Sequence, residues 1–98
     1  MTTYNGIIKD FDLIIEDHGI FTFTLVIDDG LGCTNLGLYK FSDGKLEIFI
    51  HDLMKVLGVK KASDIVNLPV RIDTTGGCTK IGHIIKNRWV EYENYTKG

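Results

Sequence analysis

The chain has 98 residues, 44% apolar and 24% charged, and its 11 Lys and Arg against 13 Asp and Glu leave a net charge of −2. That length and apolar content fit one globular domain spanning residues 1–98 and exclude a disordered chain. The acidic balance excludes a nucleic-acid binder working through a Lys/Arg excess, and no apolar run reaches the ~18 residues of a membrane-spanning helix.

Ile7 to Ile15 alternates, with Ile7, Phe11, Leu13 and Ile15 on one parity and Asp10, Asp12 and Glu16 on the other. Period two is that of a half-buried strand. Asp17-His18-Gly19 reads as a turn, and Ile20 to Ile27, rich in aromatic and β-branched residues, as a second strand closing a long hairpin. Asp28-Asp29-Gly30 is a further turn. Gly30, Gly32 and Gly37 then crowd a short stretch, with a third, irregular strand over Leu36–Phe41 that Ser42-Asp43-Gly44 breaks.

Leu46, Phe49, Ile50, Leu53, Val56 and Leu57 recur at helical spacing, opposite Glu47, His51, Asp52 and Lys55. Ser42 or Asp43 suits the N-cap and Gly58 the exit of this helix. Lys60 to Leu68 is a connector with one helical turn capped by Ser63, and Pro69 ends it. Val70 and Ile72 alternate with Arg71 and Asp73 as a fourth strand, and Gly76-Gly77 turns the chain. Thr79 to Tyr92 reads as one last strand carrying Ile81, His83, Ile85 and Trp89 on one parity, after which Asn94 to Gly98 frays.

The expected fold is α+β: an antiparallel sheet of about five strands in the order β-β-β-α-β-β, with the amphipathic helix on one face. The other face holds Ile8, Ile14 and Ile84 beside charges, so a partner chain is expected to cover it, most economically as a homo-oligomer such as a dimer. The opening Met1–Gly6 has neither the cationic start nor the apolar stretch of a signal peptide. The expected site of action is therefore intracellular, with Cys33 and Cys78 as free thiols.

Catalytic patterns are not found. Ser42 and Ser63 are the only serines, neither in a nucleophile motif, and nothing orients Cys78 toward His83. His18, His51 and His83 are too dispersed for a metal site. The expectation is a non-enzymatic protein with no metal and no cofactor. The glycines at 30, 32 and 37 do not make a P-loop. Their amides either cradle an anion, helped by Asn35 and Tyr39, or belong to a plain irregular connection. His83 satisfies a core carbonyl or sits at a pocket edge, where it and Trp89 suit a ring or an anion. Gly82 permits close approach of another backbone or a ligand. Arg71, on the neighbouring strand, is the nearest cation for a phosphate unless it is simply solvated. The candidate ligand-binding residues are therefore His18, Asn35, Tyr39, Arg71, His83 and Trp89.

Glu16-Asp17-His18-Gly19-Ile20, and Ile81-Gly82-His83-Ile84-Ile85 followed by Trp89, resemble motifs of a family of small uncharacterised bacteriophage and prophage proteins. Gly37 and Tyr39 partly match that family's glycine-rich loop, and Val56-Leu57-Gly58-Val59 its helix end. The likeness runs from about residue 6 to 90, departing at Cys33-Thr34-Asn35, where the loop is less glycine-dense. No activity is assigned to the family. Phage origin implies a counter-defence factor in the bacterial host's cytoplasm, binding neither DNA nor membrane. Such a factor would sequester a nucleotide-type immune signalling molecule; alternatively it would be an anti-CRISPR-like inhibitor that binds a protein of a bacterial defence system.

Overall fold

The computed structural model describes residues 3–15, 19, 21–37, 45–74 and 79–96. In chain order the elements are β1 (Thr3–Ile15), β2 (Phe21–Asp28), β3 (Cys33–Gly37), α1 (Lys45–Leu57), β4 (Pro69–Asp73), β5 (Lys80–His83), β6 (Trp89–Glu91) and α2 (Glu93–Thr96), with a short 3-10 helix at Ala62–Ile65. All strands join one antiparallel sheet in the order β3-β2-β1-β4-β5-β6. The expected α+β architecture holds, with α1 on one face. No helix among the described residues is long and apolar enough to cross a membrane.

The core lies between α1 and the sheet. Phe49, Leu53 and Leu57 of α1 meet Ile8, Phe23, Leu25, Ile27, Val70, Ile72, Ile81 and Val90, all buried. Each such side chain stabilises the fold by roughly 1.5–3 kcal/mol on burial. Phe23 and Phe49 stack at 5.2 Å, and Tyr92 sets its edge against both, at 6.0 and 5.6 Å.

β1 departs from the simple alternation of its sequence. Its register against β2 shifts between Ile8 and Asp10, so Lys9 is a bulged residue, and Ile8 opposite Ile27 shares a face with Phe11 opposite Leu25. Ile8 is therefore fully buried while Ile7 is 41% exposed. The single parity expected from Ile7 to Ile15, and the placing of Ile8 on the face away from the helix, are both corrected by that one residue.

Other boundaries also move. The third strand is Cys33–Gly37 and not Leu36–Phe41; residues 38–44, with the candidate caps Ser42 and Asp43, lie outside the described residues. Ser63 does not cap the 3-10 helix, whose extended N-cap is Lys61 and carries no side-chain cap bond. The exit of α1 is as expected. Gly58 has φ 76°, and the Gly58 and Val59 amides donate to Lys55 O and Met54 O at 3.3 and 3.1 Å, the paired bonds of a glycine-terminated helix.

The largest correction concerns Thr79–Tyr92. It is two strands, β5 and β6, separated by bends at residues 84–87, so Ile84 belongs to a turn. The C-terminal segment is ordered through α2 rather than frayed, because Tyr95 packs its ring on Phe49 at 5.1 Å and bonds Asp52.

Candidate functional site

Three of the candidate residues meet on β4, β5 and β6. Arg71 pairs with Gly82, and Gly82 with Trp89, so the three lie in one row on the face away from α1. A Cβ at Gly82 would stand 2.5 Å from Trp89 Cε3. The absent side chain is what lets the indole lie across the strand. The close approach anticipated at Gly82 is therefore made by the chain's own tryptophan.

Arg71 Cζ sits 4.7 Å from the centre of the Trp89 ring, within reach of a cation–π attraction. Its Nε donates to His83 O at 2.8 Å and its Nη2 to Lys86 O at 2.7 Å. Trp89 Nε1 donates to Asn87 Oδ1 at 3.0 Å. His83 shares the core-side face with Ile81 as expected, but Trp89 lies on the opposite one. The imidazole closes the same turn, since Nδ1 accepts the Ile85 and Lys86 amides, each at 3.1 Å. Desolvation, then the positive charges of Arg88, Lys86 and Arg71, hold the His83 pKa below its ordinary value. Both amide bonds need an unprotonated Nδ1, which places the ring hydrogen on Nε2.

Arg71, His83 and Trp89 thus form a clamp on residues 84–87. Beside it runs a groove of about 500 Å³ lined in part by Arg71, Asp73, Lys80, Trp89, Glu91 and Asn94. Two cations and two carboxylates face each other there. Asp73, Lys80, Glu91 and Asn94 are not among the sequence candidates; the signal for the first three is the cross-strand row Asp73–Lys80–Glu91, whose last member appears only once β5 and β6 are separated, and Asn94 enters from α2.

The other candidates lie elsewhere. Asn35 is exposed on β3, three strands from β4 and so at least about 14 Å away at ordinary strand spacing. His18 and Tyr39 lie outside the described residues. The glycine stretch does not offer its amides to an anion. Asp28 Oδ1 accepts Gly30 N–H at 2.8 Å, and Asp29 Oδ1 accepts the Leu31 and Gly32 amides at 2.8 and 2.9 Å. It is an acidic turn closed by its own carboxylates.

A second surface is apolar. At the far end of the β1–β2 ribbon, Leu13, Ile15 and Phe21 are 45%, 73% and 55% exposed. Leu13 and Phe21 line a groove of about 480 Å³ with Leu46, Glu47 and Ile50 of α1. No family model, no curated protein and no solved structure matches the chain.

Proposed function

We propose that the chain is a small non-catalytic protein that acts by binding another protein, as an inhibitor of a bacterial defence system in the host cytoplasm. Phage or prophage origin, suggested by the Asp17-His18-Gly19 and Ile81–Ile85 motifs, is part of the same proposal. One observation carries it. Arg71 Nε and Nη2, His83 Nδ1 and Trp89 Nε1 are all bonded within His83–Asn87, whereas Leu13, Ile15 and Phe21 are open to solvent. Large exposed side chains grouped at one end of a monomer mark interaction sites. Affinity capture from bacterial extract, followed by capture in the reverse direction, tests this. A single protein held in stoichiometric amounts in both directions is expected, and recovery of the chain alone overturns the reading.

Sequestration of a nucleotide-type signalling molecule is the second reading, favoured by Arg71, Lys80 and Trp89 along one groove. Two points weigh against it. Asp73 and Glu91 offset the cations of that groove, and the indole already meets Gly82 and the Arg71 guanidinium. A ligand at a hundredfold excess over its dissociation constant stabilises a protein by about 2.7 kcal/mol. Melting temperatures unmoved by cyclic di- and trinucleotides and ADP-ribose isomers would exclude this second reading; a rise with any of them would replace the first.

A further inference from the structure

The β1–β2 ribbon has an edge that no strand covers among the described residues. β4 pairs with β1 only from Thr3 to Ile7. Asn67 and Leu68 then exchange backbone bonds with Ile8, at 2.6 and 3.0 Å. Beyond that point, among the described residues, Asp10–Ile15 has β2 on one side only. The Leu13 amide is turned away from β2 and donates to Asp12 Oδ1 at 2.9 Å. Backbone groups alternate along a strand, so the Phe11 and Ile15 amides face the same open side. The edge is about as long as an ordinary strand.

Its two faces differ. Toward α1 it presents Leu13 and Ile15, beside the groove with Leu46 and Ile50. Away from α1 it presents Asp10 and Asp12, both exposed, and the half-buried Ile14, while Glu47 lines the apolar groove. The one cation on this stretch of β1 is Lys9, at the bulge. An edge of this kind pairs with an extended segment whose side chains alternate to match.

We propose that the Asp10–Ile15 edge binds an extended segment of a partner protein in which apolar and basic residues alternate, adding a strand to the sheet. This rests on the protein-binding reading above and names the chemistry of the partner. The apolar residues would lie toward Leu13, Ile15 and Leu46, and the basic ones beside Asp10 and Asp12. A second copy of the chain is the poorer occupant, because pairing β1 with β1 brings the aspartates of both copies to one face, where like charges repel.

The experiment measures binding of a synthetic peptide alternating Val and Lys, against a scrambled peptide and one N-methylated at alternate amides. Hydrogen exchange is followed at Leu13 and Ile15. The alternating peptide is expected to bind, to slow both amides, and to weaken as salt rises. The scrambled and N-methylated peptides are expected not to bind. Asp10→Lys with Asp12→Lys should weaken binding about tenfold without lowering the melting temperature. Equal binding of all three peptides, no binding of any, or a dimer that closes this edge in the free protein would each overturn the proposal. A partner still captured by the Asp10→Lys, Asp12→Lys variant would end this inference alone, and the protein-binding reading would stand.

Discussion

Tyr95 donates its hydroxyl to Asp52 Oδ2 across 2.6 Å, fastening the four-residue α2 to the middle of α1. The bond holds the Asp52 carboxyl below its ordinary pKa, with a lesser contribution from His51 at 3.2 Å. Burial, then Asp52, pushes the Tyr95 hydroxyl up to about 12. Tyr95→Phe should therefore cost about 1 kcal/mol at neutral pH by urea denaturation. The sign of the pH dependence follows from the two shifts. The Asp52 contribution is present above the ordinary value of 3.8 and is lost as pH falls through the lowered one. The Tyr95 contribution is complete below 10.0 and is lost as pH rises through about 12. Tyr95→Phe should flatten both limbs; a variant with the same acid and alkaline limbs as the parent would show that the bond does not form.

Gly82→Ala tests the clamp from beneath. The new methyl would meet the indole at 2.5 Å, so Trp89 must lift and Arg71 lose its stacking. A loss of about 1–3 kcal/mol is expected, typical of overpacking. In Trp89→Leu the same substitution should cost much less, and a double-mutant cycle measures the difference. Equal costs in both backgrounds would mean that the ring does not rest on Gly82.

His83 should titrate below 6.5 by NMR. Because its folded value is lowered, the unfolded chain binds the extra proton first. Stability contributed through His83 is thus present above about 6.5 and falls as pH drops toward the folded value. Protonating Nδ1 removes the acceptor for the Ile85 and Lys86 amides, so those two amides should exchange faster at the acid end. Exchange there that does not follow the imidazole titration would separate the ring from the turn.

One residue of the Lys9-Asp10 pair can be deleted with little harm, which no residue of β1 beyond the bulge should allow. Removing Lys9 joins Ile8 to Asp10 in a regular ladder and leaves Ile8, Phe11, Leu13 and Ile15 on the core side. Removing Asp12 instead turns every later side chain to the opposite face. Melting of the two deletion variants should differ widely, by several kcal/mol in favour of the Lys9 deletion.

The β1–β2 hairpin, α1 and β4 are legible because their apolar residues recur at strand or helix spacing in the sequence. The bulge at Lys9 is not, since a strand with one extra residue reads as an ordinary alternation that starts on the wrong isoleucine. The β5–β6 turn escaped for a related reason: Ile84 and Ile85 extend the apolar pattern of β5, and no glycine or proline interrupts it before Trp89. Its turn is closed by the His83 amide donating to Arg88 O at 3.0 Å and is held by two side chains, Arg71 from another strand and His83 from its own. That dependence also explains the uneven success at the site. Arg71, His83 and Trp89 group together by residue type, but the bonds of Arg71 and His83 to backbone and of Trp89 to the Asn87 side chain depend on a register that residue types do not contain. Asn35 shares their chemistry but lies across the sheet on β3.

β1 pairs with β2 over its second half and with β4 over its first, and this gives the chain a built-in delay during synthesis. Thr3–Ile7 leaves the ribosome about 60 residues before its partner Pro69–Asp73, roughly 3–12 s at ordinary elongation rates. In that interval the β1–β2–β3 meander can form with one long margin unpaired. Completion of the sheet therefore waits on the last third of the chain, and the nascent N-terminal half carries a margin that chaperones must shield or that neighbouring chains can capture.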